Sequence, residues 1–154
     1  MTSSPLVLLF TRDGDFARLV YETLFPADSV LLIARDVRSG LQIVYERGRE
    51  LDLAVMDLVD DGCRGRTLLS AVHTCYERLP IVVTTSEGAE DACFLALANG
   101  ARSCLKKPLS PVSFAQAISD VTDCAPPLSV DYEPNEINIF FLRRLKKPKR
   151  KRES

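Results

Sequence analysis

Apolar residues follow two rhythms along this chain. Short continuous runs occur as LVLLF at 6–10, SVLLIA at 29–34, LDLAVM at 51–56, IVVTT at 81–85 and SCLKK at 103–107, each bounded by polar or Gly/Pro segments. Such runs predict five buried strands. Between them the spacing turns helical: Phe16, Leu19, Val20, Thr23 and Leu24 recur at i, i+3, i+4, i+7 and i+8, with Asp13 or Asp15 available as a cap. Segments 37–47, 65–77 and 88–99 read similarly. Asn99 and Gly100 predict a helix stop. Ser110 followed by Pro111 predicts a helix start running to about Asp123, because proline at the first helical position sacrifices no hydrogen bond.

Five alternations of strand and helix imply an α/β architecture, with a parallel sheet, right-handed crossovers and helices on both faces in a three-layer (βα)5 sandwich. In such sheets functional groups collect beyond the carboxyl ends of the strands, where strand order reverses. Those ends are Thr11 and Arg12, Asp57, Thr84 and Thr85, and Lys106 and Lys107. The stretch CAPPLSVDYEP has a linker's Pro and Ser content, so the domain is expected to span 5–123, followed by a linker with a short apolar segment over 124–141 and a basic tail over 142–154.

Composition narrows the function classes. A chain of 154 residues, 46% hydrophobic and 27% charged, is an ordinary globular composition with room for one domain. No apolar run approaches the roughly 20 residues of a membrane span. The start, MTSSPLVLLF, lacks the basic region and long apolar stretch of a secretory signal, so a cytoplasmic location is expected. Cys63, Cys75, Cys93, Cys104 and Cys124 are odd in number, widely spaced and without a CxxC pair. Free thiols are expected, with neither a disulfide framework nor a zinc site. His73, the single histidine, is expected to face solvent, with Leu68, Leu69, Val72 and Cys75 supplying the apolar face of its helix.

An aspartate ending strand three, a hydroxyl residue ending strand four and a lysine followed by proline ending strand five form a specific ordered set. The stretches are LAVMDLVDDGCRGRTLL, LPIVVTTSEGAEDA and ANGARSCLKKPLS. They resemble the response-regulator receiver (CheY-like) family over roughly residues 5–123. The resemblance implies a flavodoxin-like fold and a role in two-component phosphorelay signalling rather than as an enzyme. It makes Asp57 the candidate phosphoacceptor, Thr85 and Lys107 its phosphate-site partners, and the bond before Pro108 cis. The chemistry fits the set, since a carboxylate can attack a phosphoryl group and an ammonium can neutralise its oxygens.

The same resemblance exposes departures. The family's acidic pair falls on Thr11 and Arg12, with Asp13 one position beyond. In the family those acids, with the phosphoacceptor and the carbonyl two residues later (Val59 here), hold Mg2+, a hard cation that needs oxygen ligands. Thr11 is a weak neutral ligand and Arg12 none, so no cofactor is expected. A magnesium ion would enter only at a working phosphoacceptor site, held by Asp57, Asp13 and the Val59 carbonyl. Arg12 is expected to reach Asp57 and form an ion pair in place of the metal. Asp13, turned inward, and Asp60 and Asp61 in the following loop are the compensating acids. The aromatic residue that commonly reports phosphorylation three positions before the lysine is Cys104 here, read as a small apolar filler rather than a redox thiol.

The leading expectation is therefore an atypical receiver acting as a protein-interaction module, with a histidine kinase, a downstream effector or a second copy of the chain as candidate partners. The alternative is a working phosphoacceptor modified at Asp57. A further alternative lies in the tail. Residues 1–141 hold 20 acids and 12 bases, net −8, whereas 142–154 hold 8 bases and Glu153, net +7. Such a tail can bind nucleic acid or an anionic membrane surface.

Overall fold

The computed structural model describes residues 5–24, 30–58, 63–86 and 90–121. Its strands are β1 (Leu6–Phe10), β2 (Val30–Ala34), β3 (Leu53–Asp57), β4 (Ile81–Thr85) and β5 (Ser103–Lys106). They alternate with α1 (Gly14–Leu24), α2 (Val37–Arg47), α3 (Cys63–Cys75), α4 (Glu90–Ala98) and α5 (Pro111–Val121). A short 3-10 turn at Gly48–Glu50, not foreseen from the pattern, leads from α2 into β3. The expected linker and basic tail lie outside the described residues, as do Val59, Asp60 and Asp61.

All strand pairs are parallel, in the order β2-β1-β3-β4-β5. The order reverses between β1 and β3, so their carboxyl ends flank a crevice. Alternation along the strands divides the core into two layers. Leu8, Phe10, Ala54, Met56, Ile81 and Val83 face one way and pack with Leu68, Leu69 and Val72 of α3 and Ala96 of α4. Val7, Leu9, Val55 and Val82 face the other way and meet Phe16 and Val20 of α1 and Phe114 and Ile118 of α5. The Phe16 and Phe114 rings close that layer edge to face, with centroids 6.1 Å apart. Each fully buried Phe or Leu contributes about 1.5–3 kcal/mol through removal of its surface from water. The expectation of five buried strands holds for β1, β3 and β4. The outer strands β2 and β5 are only partly covered, because each has a neighbour on one side alone.

Helix ends follow local chemistry. Pro111 opens α5, and Ser110 Oγ accepts the Ser113 N–H at 3.1 Å. Asp36 caps α2 through the Ser39 N–H. After α4 the chain stops as the Asn99-Gly100 pair predicts: Gly100 has φ +117°, the Ala101 N–H bonds back to the Ala96 carbonyl and the Gly100 N–H to that of Leu97. This turn lies over His73, and a Cβ on Gly100 would stand 2.3 Å from its ring. Two expectations for α3 are thereby reversed: His73 is half-buried with Nδ1 enclosed, whereas Cys75 is exposed. The turn after α4 covers one and misses the other.

Candidate functional site

The carboxyl ends of β1, β3, β4 and β5 bring Thr11, Asp57, Thr84 and Lys107 together. Asp57 ends β3 with its side chain 5% exposed, so the carboxylate needs partners close by. Its Oδ2 accepts the Thr11 hydroxyl at 2.6 Å and the Lys107 ammonium at 2.9 Å, and its Oδ1 accepts the Thr84 hydroxyl at 3.2 Å. Thr11 is buried, and its Oγ1 also accepts the Asp13 N–H at 3.0 Å. That bond orients the hydroxyl to donate toward Asp57.

Asp13 takes the capping role and turns inward as well. Oδ1 accepts the N–H groups of Asp15 and Phe16 at 3.0 and 3.2 Å, while Oδ2 accepts Lys107 Nζ at 2.8 Å. The Lys107 hydrogen bond, reinforced by the Phe16 N–H, holds the Asp13 carboxyl below its ordinary range. For Lys107 burial opposes the charge most, yet the hydrogen bonds to Asp13 and Asp57 together outweigh it and raise the ammonium above its ordinary value. The ammonium also lies 4.6 Å from the centre of the Phe16 ring. The peptide bond between Lys107 and Pro108 is cis, as the resemblance implied.

Arg12 is not where it was expected. Its Nε donates to the Arg35 carbonyl at 3.1 Å, on the exposed surface over the turn before α2. There its charge adds a smaller contribution to the lowering of Asp36, which is set first by the Ser39 N–H. Beyond the end of β1 the chain bends at Arg12, so that Thr11 faces the crevice and Arg12 faces away. The ion pair on Asp57 is made by Lys107 instead.

Thr85 is buried at the end of β4, and its Oγ1 lies 3.9 Å from Cys93 Sγ. The hydroxyl beside Asp57 belongs to Thr84, its register partner across β3 and β4. Only the strand register reveals this residue. Cys104, in β5, is half-buried and packs against the core layer under α3 and α4. It is not merely a filler, however, because Cys104 is bonded to Cys93 of α4 as a disulfide, with Cα atoms 5.7 Å apart. The expectation of free thiols fails here because the packing of α4 over β5 joins cysteines eleven positions apart.

The donor set of the described residues does not suit a divalent cation. Among the described residues no group of three or more His, Cys, Asp or Glu side chains could hold one. The two carboxylates that converge, Asp13 and Asp57, already share a monovalent ammonium. Thr11 directs its proton at Asp57 rather than a lone pair at the gap. A groove of about 450 Å³ bordered by Asp13, Phe16, Leu19, Lys107 and Leu109 opens beside this pair to solvent.

No protein-family model and no curated protein matches the chain. Solved structures do. A response-regulator receiver domain protein from Clostridium thermocellum aligns with TM-score 0.64 at 18% identity, over 91% of this chain and 96% of that one. The chain has the response-regulator receiver fold. The signal receiver domain of an HD domain-containing protein from Pseudomonas fluorescens Pf-5 aligns with TM-score 0.69 at 24% identity, over 79% of this chain and 88% of the other. A Mn2+-bound form of response regulator Rcp1 aligns with TM-score 0.63 at 22% identity, over 81% and 97%. Within this receiver fold Asp57 ends β3 and Lys107 follows β5 to reach it, while Thr85 ends β4 with its hydroxyl toward Cys93. No helix among the described residues is long and apolar enough to cross a membrane.

Proposed function

We propose that this chain is an atypical receiver that works as a protein-interaction module in two-component signalling, its phosphoswitch lost or rewired. A histidine kinase or a downstream effector is the partner on this reading. The observation that carries it is the Lys107 ammonium bridging Asp13 and Asp57 at 2.8 and 2.9 Å while Thr11 donates to Asp57 at 2.6 Å. An aspartate nucleophile must offer an oxygen in line with phosphorus, and the charge of transfer is normally offset by a divalent cation. Here both carboxylate oxygens are engaged by the protein's own donors, and an ammonium stands between the two acids. One matched structure is a Mn2+-bound form. In this chain the Lys107 ammonium lies between Asp13 and Asp57.

The test is incubation of the full chain with acetyl phosphate, with and without Mg2+, followed by intact mass measurement, with Asp57→Asn as control. No magnesium-dependent phosphoryl uptake is expected. Uptake that requires Mg2+ and disappears in Asp57→Asn would overturn the proposal in favour of a working phosphoacceptor.

A further inference from the structure

We propose that Cys93 and Cys104 form a reversible redox modification site, exchanging with small thiols and disulfides, whose state decides how tightly α4 is held to the sheet. This goes beyond the signalling role above and stands whether or not Asp57 accepts phosphate. Three observations converge on it.

The first is placement. The two cysteines sit on facing elements with Cα atoms 5.7 Å apart, within the range that a disulfide spans without backbone movement. Both are half-buried, so a small thiolate can approach the bond, whereas a fully enclosed bond would be inert.

The second is how little else holds α4. It has nine residues, fewer than the roughly 12–15 at which an isolated helix becomes marginally stable. Among its described side chains only Ala96 is fully buried. Phe94 is 73% exposed and Leu97 47%. The covalent tether from Cys93 to β5 therefore carries a large share of the attachment.

The third is adjacency to the crevice. Cys93 Sγ lies 3.9 Å from the Thr85 hydroxyl, and Thr84 next to it donates to Asp57. Release of Cys93 changes the surroundings of the hydroxyl at the end of β4, which links the thiol state to the candidate site.

The chemistry is thiol–disulfide exchange. One protein thiolate attacks a sulfur of a low-molecular-weight disulfide, RSSR; that S–S bond breaks, RS⁻ leaves and a mixed disulfide forms. The second protein thiolate attacks the protein sulfur of the mixed disulfide and expels the second RS⁻. Two protein thiols and RSSR become one protein disulfide and two RSH, with two electrons passing to the small molecule. A small dithiol or excess RSH reverses it.

The full chain, folded, is equilibrated in glutathione buffers from fully oxidised to fully reduced, quenched with N-ethylmaleimide and mapped by peptide mass spectrometry, with amide hydrogen exchange measured at both extremes. The Cys93–Cys104 cross-link is expected in oxidising buffer and both thiols labelled in reducing buffer, with Cys75 labelled throughout. On reduction the α4 amides should exchange roughly 10- to 100-fold faster, from the closure entropy of so short a loop, while β1 and β3 stay protected. Cys93→Ser and Cys104→Ser should each show the fast pattern in both buffers. A bond that persists in reducing buffer while the protein is folded, labelling of both cysteines in oxidising buffer, or α4 exchange that ignores the thiol state would each overturn the proposal.

Discussion

Replacing Lys107 with methionine keeps the length and packing of the side-chain stem and deletes the ammonium between two carboxylates. Asp57 would then be a 95% buried side chain that keeps its two hydroxyl donors, at 2.6 and 3.2 Å, and loses the Lys107 ammonium. Stranding a buried charge in this way costs about 3–5 kcal/mol where nothing else compensates. Here Thr11 and Thr84 remain, and the Asp13 side chain, 41% exposed, can turn to water. A loss of about 2–3 kcal/mol is therefore expected for Lys107→Met, including a few tenths from the lost contact with Phe16. The decisive quantity is the coupling. In Lys107→Met/Asp57→Asn the stranded charge is gone, so the double variant should be more stable than the sum of the single losses by at least about 1.5 kcal/mol. Urea unfolding of the wild type, both single variants and the double variant at pH 7 and fixed redox potential measures it. Additivity within about 0.5 kcal/mol would refute the argument that Lys107 compensates Asp57.

Thr11→Asp should place a third carboxylate in the crevice beside Asp13 and Asp57, detected as a thermal stabilisation that rises with Mg2+ concentration, whereas the wild type should show none; an unresponsive variant would refute the reasoning that Thr11 is what keeps the cation out. Gly100→Ala should cost about 2–3 kcal/mol in urea unfolding, because a φ of +117° strains any residue with a Cβ and His73 occupies the space. The contact of Asp13 with Lys107 stabilises the fold fully from above the ordinary Asp pKa of 3.8 to below the ordinary Lys pKa of 10.5. Because folding lowers the first pKa and raises the second, the stability difference between wild type and Asp13→Asn should be flat across that window. It should shrink as pH falls below 3.8 or rises above 10.5.

Much of the fold was legible in the sequence because its determinants are local. Apolar runs near five residues long, the 3.6-residue spacing from Phe16 to Leu24, a Ser-Pro start and an Asn-Gly stop each act within a turn or two of chain. The α2 range and the α5 start follow from them directly. Asp57 and Lys107 were also legible as strand-end residues, since in a parallel sheet all carboxyl ends lie on one edge. What lay beyond the sequence is what depends on which way a side chain turns and what packs on it. Thr11 and Arg12 are adjacent in sequence, yet the bend after β1 sends one to Asp57 and the other to the Arg35 carbonyl. Thr84 acquires its place beside Asp57 from a register between strands 27 residues apart. His73 and Cys75 exchange their expected environments because a turn from another part of the chain covers the one and not the other. Cys93 and Cys104 meet because α4 crosses β5, a distance fixed by packing that no spacing rule encodes. Periodicity is a property of neighbours along the chain; pairing across the crevice is set by tertiary contacts, and the site's chemistry is decided there.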